Sequence, residues 1–228
     1  MVKNVFLDMD GTLLDFHKSE AVALGKVLGD FGIVATPEKI DLYSRINLAQ
    51  WKRLERGEIS REQVLVGRFE IFFGQLGENA DALRARKLYE NYLSQGHYFI
   101  DGAQELLETL FGKYKLFIAT NGTKKVQLSR IKDSGIARYF GGIFISEDLG
   151  YNKPDRMFFE KCFELIGNVD PDETVIVGDS LSSDILGGNN AGIKTLWYNP
   201  MHEKPDKTVR IDRDTDALSD IPDILAKM

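Results

Sequence analysis

Residues 5–12 read VFLDMDGT, a short apolar run followed by a polar turn that carries two aspartates. A continuous apolar run of this kind is typical of a parallel strand that is buried on both faces. Asp8 and Asp10 then follow the carboxyl end of the predicted strand, and in a regular strand their side chains would point the same way. Taken alone, two such aspartates before a glycine are more often an ordinary turn than a catalytic site.

Four further short apolar runs follow in the second half of the chain. They predict strands at residues 116–119, 143–145, 175–177 and 195–197, and helical spacing between them predicts helices at 126–134, 157–166 and 184–191. Strands that alternate with helices predict an α/β fold with a doubly wound, Rossmann-like parallel sheet. For the tail we predict a loop with a weak strand at 208–211 and a closing helix at 217–227.

The long segment between the first and second predicted strands differs from the rest of the chain. Residues 21–31, 37–56, 61–76 and 81–94 have helical spacing, and no convincing strand lies among them. Pro37 after Thr36, and Ser60 followed three residues later by Gln63, indicate two helix starts. We therefore predict a core of residues 1–15 plus 100–228, interrupted by an all-helical domain of residues 16–99.

Composition excludes several classes of partner. The net charge is −6 and no basic stripe is present, so a nucleic-acid polymer is not expected. No segment approaches the roughly 20 apolar residues of a membrane span, and the first apolar run is too short for a signal-peptide core. Cys162 is the single cysteine and cannot form an internal disulfide, which fits a reducing compartment. These features predict a cytoplasmic protein, a monomer or a homodimer, that binds a small molecule.

Polar side chains follow several of the predicted strands. Because ligands bind outside the carboxyl ends of an open parallel sheet, we expect these side chains to converge at one edge. They are Asp8, Asp10, Thr120, Asn121, Asp179 and, on nearby loops, Lys153 and Asp184.

Such a cluster suits a metal and a phosphate group. Clustered carboxylates repel one another unless a cation lies among them, and oxygen ligands alone favour Mg²⁺. The lysine, hydroxyl and amide groups would bind a dianionic phosphate. One carboxylate can then attack phosphorus while a second donates a proton to the leaving oxygen.

Four motifs resemble, in order and spacing, those of the haloacid dehalogenase superfamily. They are DMDGT at 8–12, TNG at 120–122, Lys153-Pro154, and Gly178-Asp179 followed by Asp184. The resemblance implies that Asp8 is the nucleophile and Asp10 the general acid and base. It implies that Mg²⁺, with Mn²⁺ as a substitute, binds Asp8, the backbone carbonyl of Asp10 and Asp179, with Asp184 as a further carboxylate on the metal side. Thr120, beside Asn121, would bind the phosphoryl group, Lys153 would stabilise Asp8 and the transferring group, and the helical insertion would be a mobile cap.

The whole chain also resembles the house-cleaning pyrimidine nucleotidases. The matching residues are 145–147 (ISE), 183–188 (SDILGG), 190–192 (NAG) and, in the insertion, Asn47, Trp51 and 67–70 (GRFE). This resemblance implies a 5′-nucleotidase for pyrimidine nucleoside monophosphates, with Asn47, Trp51, Arg68 and Phe69 as candidate substrate-binding residues. Aromatic residues at helical spacing are also typical of a helical core, and an arginine there is also typical of a surface salt bridge.

Other functions stay open from the sequence. A phosphatase of another small metabolite, of the sugar phosphate or phosphoglycolate type, would need the same residues, and so would a phosphomutase that forms the same aspartyl-phosphate. A carbon–halogen hydrolase needs neither a metal site nor a leaving-group acid, so Asp10 and Asp179 argue against it. A binding module on an inactive enzyme fold is disfavoured because every motif residue is intact.

Overall fold

The computed structural model describes residues 1–228 and divides into two compact units. The first, called the sheet unit here, consists of Met1–Asp15 and Phe99–Met228. The second, called the helical unit, is Phe16–Tyr98. The first strand and the remaining strands of the sheet unit are therefore separated in sequence by the helical unit.

Six parallel strands form the sheet. They are β1 (Asn4–Leu7), β2 (Lys115–Thr120), β3 (Gly142–Ile145), β4 (Thr174–Gly178), β5 (Lys194–Tyr198) and β6 (Arg213–Thr215). The order across the sheet is β3-β2-β1-β4-β5-β6, and every neighbouring pair is parallel. This order confirms the predicted doubly wound sheet. It reverses its direction of growth between β1 and β4, where ligand sites of such sheets lie.

The helical unit contains four helices. They are α1 (Phe16–Asp30), α2 (Pro37–Glu55), α3 (Arg61–Leu76) and α4 (Ala82–Leu93). Helix α2 begins at the predicted proline, and α3 begins with the predicted capping box, in which Ser60 and Gln63 bond each other's backbone N–H groups. Helix α1 begins five residues before the predicted segment at 21–31. None of the helices combines the length and the apolar character that crossing a bilayer requires.

Further helices cover both faces of the sheet. They are α5 (Ala103–Leu110), α6 (Lys124–Ser134), α7 (Ser146–Leu149), α8 (Arg156–Ile166), α9 (Leu186–Ala191) and α10 (Ile221–Leu225). Side chains of α5, α6 and α10 pack with Val5 and Leu7 on one face, and those of α8 pack with Phe6 on the other. Cys162 lies fully buried in the second cluster, and burial raises the pKa of its thiol. The alternation along β1 therefore supplies both cores.

The tail differs from the prediction. The prediction of a strand at 208–211 is wrong. The edge strand is β6, which begins two residues after the end of that segment. The reason is a local turn in which Asp206 accepts bonds from the backbone of Thr208 and Val209, after which Arg210 bonds Asn189. The closing helix is also shorter than predicted, because a 3₁₀ turn at Leu218–Asp220 precedes α10.

Candidate active site

The site lies at the carboxyl edge of the sheet, beside the point where the strand order reverses. Asp8 directly follows β1, and its backbone N–H donates to the carbonyl of Val177 on β4 at 2.9 Å. Thr120 is the last residue of β2, and Asp179 directly follows β4. The neighbouring strands thus deliver these side chains to one edge, as expected of an open parallel sheet.

Lys153 links two of the carboxylates. Its Nζ lies 2.7 Å from Oδ1 of Asp8 and 2.6 Å from Oδ1 of Asp184, and it donates to the carbonyl of Ala119 at 2.5 Å. Only 1% of the Lys153 side chain is exposed. Burial by itself lowers the pKa of this amine, but Asp184 and Asp8 outweigh that effect and raise it. Lys153 is therefore held as a buried cation within the site.

Asn121 positions the backbone of Lys153. Its side-chain Oδ1 accepts from the N–H of Lys153 at 2.9 Å, and its Nδ2 donates to the carbonyl of Lys153 at 2.8 Å. One amide side chain thus satisfies both backbone groups of the residue that carries the buried amine. The structure places Asn121 as a support for Lys153.

Three carboxylates form a cluster that suits a divalent cation. Oxygen atoms of Asp8, Asp179 and Asp184 all lie within 4.8 Å of one another. Burial, together with the neighbouring carboxylates, raises the pKa of Asp8 well above its ordinary value and that of Asp179 to about 7. Three carboxylates against the one ammonium of Lys153 leave two uncompensated negative charges when all are ionised. Oxygen donors with this charge fit Mg²⁺.

Each carboxylate of the cluster also has protein partners. Asp179 accepts from the hydroxyl of Thr12 at 3.2 Å, and Asp184 accepts at Oδ2 from the backbone N–H of Ser180 at 3.1 Å. Asp184 therefore bonds Lys153 with one oxygen and the backbone with the other. A Cβ added to Gly178 would lie 2.3 Å from Cγ of Asp184, so the close approach of this carboxylate requires glycine at the end of β4.

Asp10 belongs to a different network from Asp8. Because β1 ends at Leu7, the two aspartates do not lie in a regular strand, and their side chains meet different partners. The carboxylate of Asp10 bonds Arg130 and Gln127 on α6, and it is not part of the three-carboxylate cluster. The expectation that the two side chains would point the same way depended on a regular strand, and β1 ends before both of them. A metal contact from Asp10 would have to come from its backbone carbonyl.

Gln127 and Arg130 are site residues that the sequence reading missed. Both are polar but buried, because they lie on the same face of α6 as the buried apolar residues Val126 and Ile131. Their place on this apolar face was the signal available in the sequence. Buried polar groups need partners, and α6 follows the strand that carries Thr120, so the site was the place to look for those partners.

Of the four candidate residues in the helical unit, three are buried and one is partly exposed. Asn47 and Arg68 are buried and bonded together, with Nη1 of Arg68 2.9 Å from Oδ1 of Asn47, and Asn47 donates to Glu20 at 2.7 Å. Phe69 has no exposed surface, and its ring packs 5.1 Å from that of Tyr43 in an aromatic core.

Trp51 is partly exposed, and the guanidinium of Arg61 lies 5.4 Å from the centre of its ring. Of the four, Trp51 is thus the one with surface to offer a ligand. The sequence suggested a surface salt bridge for Arg68. In the structure Arg68 is buried and donates to the side-chain oxygen of Asn47 instead.

Known proteins resemble this chain along most of its length. Residues 5–198 match the family model described as haloacid dehalogenase-like hydrolase. Pyrimidine 5′-nucleotidase PynA of Streptococcus pneumoniae is 41% identical over 201 residues, which cover 88% of this chain and 85% of that protein. Pyrimidine 5′-nucleotidase YjjG of Escherichia coli is 30% identical over 223 residues, which cover 98% and 97%.

A solved structure also matches both units. The HAD-hydrolase YfnB from Bacillus subtilis, described as bound to magnesium and as revealing interdomain movement, aligns with a TM-score of 0.94 and 35% identity over 98% of each chain. The match therefore extends from the sheet through the inserted helices.

Proposed function

Because this chain belongs to the haloacid dehalogenase-like hydrolase family, we propose that it hydrolyses phosphate monoesters through a phosphoryl group carried on Asp8. The observation that carries the proposal is the bridge from Lys153 to Asp8 and Asp184 beside Asp179. This arrangement keeps one carboxylate at the end of β1 next to a fixed positive charge. An anionic phosphate needs both neutralisation and a nucleophile at such a site.

The protein groups divide the work between two half-reactions. In the first, an oxygen of Asp8 attacks phosphorus, the bond from phosphorus to the ester oxygen breaks, and that oxygen takes a proton from the carboxyl group of Asp10. In the second, water gives a proton to Asp10 and attacks phosphorus, the bond to Asp8 breaks, and inorganic phosphate leaves. Asp8 and Asp10 are then restored to their starting states.

Thr120 and Lys153 would bind the phosphoryl oxygens. The hydroxyl oxygen of Thr120 accepts from the N–H of Gly122 at 3.1 Å and from Gln127 at 2.7 Å, so its own hydrogen is directed towards a third partner. A phosphoryl oxygen fits that role. When Mg²⁺ or Mn²⁺ is bound by Asp8, Asp179 and the backbone carbonyl of Asp10, with Asp184 alongside, it supplies further neutralisation of the phosphate charge.

Pyrimidine nucleoside monophosphates are the proposed substrates. Two relatives that align over most of their length are named pyrimidine 5′-nucleotidases. The helical unit would act as the cap that selects the nucleoside and excludes water. Within it, Trp51 is the candidate for a direct base contact. Asn47 and Arg68 form a buried polar network with Glu20.

A substrate panel tests the reaction. Purified protein is incubated with nucleotides and sugar phosphates in Mg²⁺, Mn²⁺ or EDTA, and released phosphate is measured. We expect dUMP, UMP and dTMP to be hydrolysed fastest and EDTA to abolish turnover. Asp8→Asn should lower turnover by at least about 1,000-fold because no phosphoryl-enzyme can form, whereas the same change at exposed Asp133 should leave it unaltered.

The alternatives give different results in the same panel. Sugar phosphates at the head of the panel would contradict the proposed substrate class but not the reaction. Isomerisation of a monophosphate without free phosphate would indicate a phosphomutase. Full turnover by Asp8→Asn would contradict the mechanism as a whole.

A further inference from the structure

Arg130 is a buried cation whose carboxylate partner is Asp10. Its side chain is 0% exposed, and its Nη1 lies 2.5 Å from Oδ1 of Asp10 and 3.1 Å from Oε1 of Gln127. Burying a guanidinium costs free energy unless it is paired and hydrogen-bonded. The side chain of Asp10 is 24% exposed, so the pair joins a buried anchor to a carboxylate that solvent and ligands can reach.

Gln127 holds the other oxygen of Asp10. Its Nε2 donates to Oδ2 of Asp10 at 2.8 Å and to the hydroxyl oxygen of Thr120 at 2.7 Å. The amide therefore fixes the distance between the second aspartate of the first motif and the threonine of the second. A Cβ added to Gly122 would lie 2.4 Å from this Nε2, so glycine at that position makes the space that the amide fills.

Both oxygens of Asp10 are thus bonded to side chains of α6. A carboxylate held at both oxygens cannot rotate freely, and each oxygen keeps a second lone pair for a proton. Fixing the orientation of a group that transfers a proton increases the reaction rate, because the group must lie within hydrogen-bond reach of the leaving oxygen.

We propose that Arg130 and Gln127 are positioning residues for Asp10, which they hold in line with the leaving oxygen of the substrate. This inference rests on the proposed function, in which Asp10 protonates that oxygen. The two residues would touch neither the substrate nor the phosphoryl group. Arg130 would act through the carboxylate of Asp10, whereas Gln127 would also orient Thr120, to whose hydroxyl oxygen it donates at 2.7 Å. A purely structural ion pair would instead support all reactions of the site equally.

Leaving-group dependence separates the two possibilities. Nucleotides need a proton on the departing alkoxide, whereas p-nitrophenolate departs without one. The parameter to compare is kcat/KM for dUMP and for p-nitrophenyl phosphate, since kcat/KM covers the steps up to departure of the leaving group. For Arg130→Met we expect about a 100-fold loss with dUMP and less than about fivefold with p-nitrophenyl phosphate, in keeping with the size of general-acid effects.

Asp10→Asn provides the reference for this pattern. It should show the same selective loss, and the double variant Asp10→Asn with Arg130→Met should lose no more than Asp10→Asn alone, since both changes remove one function. Arg130→Lys should recover part of the dUMP rate. Arg156→Met removes an exposed arginine from the same unit and should leave both rates unchanged.

Each remaining outcome overturns a defined claim. An equal loss with both substrates, no loss with either, or additive losses in the double variant would show that Arg130 does not act through Asp10. Absence of selective loss in Asp10→Asn would contradict the general-acid role in the proposed function instead. If Arg130→Met melts below the assay temperature, Arg130→Gln, which also removes the charge but keeps a polar side chain, is judged by the same criteria.

Discussion

Asp179 is one of two residues in the carboxylate cluster whose pKa is raised, and its ionisation makes the cluster respond to pH near neutrality. Burial and the neighbouring Asp184 raise its pKa to about 7. This folded-state pKa exceeds the ordinary value of an unfolded aspartate, about 4. The stability that it contributes is therefore complete below that value and is lost progressively as pH rises to about 7. A cation that binds the ionised carboxylates restores stability above that pH, because metal and proton compete for the same oxygens.

We predict that Mg²⁺ raises the melting temperature more at about pH 8 than at about pH 6, because protonated Asp179 is a poor ligand below its raised pKa. Thermal melting of the protein with Mg²⁺ and with EDTA, over a pH series, measures the effect. Asp179→Asn should lose most of the Mg²⁺-dependent shift at every pH, and Asp133→Asn should retain it. A shift of equal size across the series would contradict this role of Asp179.

The sequence predicted the residues at strand ends and missed those on helix faces. Asp8, Thr120 and Asp179 lie at the carboxyl ends of recognisable strands, and parallel topology alone brings their positions together. Arg130 and Gln127 lie on α6, where the face that they share with Val126 and Ile131 was the available signal. Their partner Asp10 depends on how the helix packs, which the sequence does not specify. The separation of Asp10 from Asp8 depends on backbone geometry after the end of β1, which residue spacing does not specify.

At the scale of single elements, the start of α3 offers a direct measure of capping. Ser60 accepts from the backbone of Gln63 at 3.3 Å, and the side chain of Gln63 accepts from the backbone of Ser60 at 2.8 Å. We predict that Ser60→Ala lowers the free energy of unfolding by about 1 kcal/mol, since it leaves a helix N–H without its partner.

Thr36 is the matched control for this prediction. It occupies the same position before α2 but makes no capping bond to the helix backbone. Thr36→Ala should therefore change the free energy of unfolding much less than Ser60→Ala. Urea denaturation of both variants measures the difference, and equal losses would mean that the capping box does not contribute as proposed.

Short elements were harder to predict than long ones. The capping box preceded a 16-residue helix with clear periodicity and was correctly placed. The edge strand β6 has three residues with no apolar alternation, and its position depends on pairing with β5 rather than on its own sequence. The 3₁₀ turn before α10 likewise has no signal in residue spacing.

At the scale of the whole molecule, the ends of the inserted segment are joined within the sheet unit. Leu14 and Phe99 form an isolated antiparallel bridge, and the N–H of Ile100 donates to the carbonyl of Leu13 at 3.1 Å. The residues that flank the insertion are therefore already adjacent, and closing the gap requires only a short linker.

We predict that replacing residues 16–98 by a short Gly/Ser linker leaves a sheet unit that melts cooperatively and is still stabilised by Mg²⁺. It should hydrolyse p-nitrophenyl phosphate but no longer prefer dUMP over sugar phosphates, because the proposed cap is gone. Calorimetry and the substrate panel measure the two properties. A truncated chain that stays unfolded would contradict the independence of the unit, and one that keeps the preference would contradict the role of the cap.

The burial of Cys162 has a practical consequence for spectroscopy. The single thiol of the chain is fully enclosed and, with its raised pKa, exists almost entirely in the unreactive protonated form at neutral pH. Cysteines introduced at exposed positions, one in each unit, would therefore be the only sites that maleimide dyes or nitroxide spin labels modify. The natural sequence can thus serve directly as the background for energy-transfer or electron paramagnetic resonance measurements during turnover.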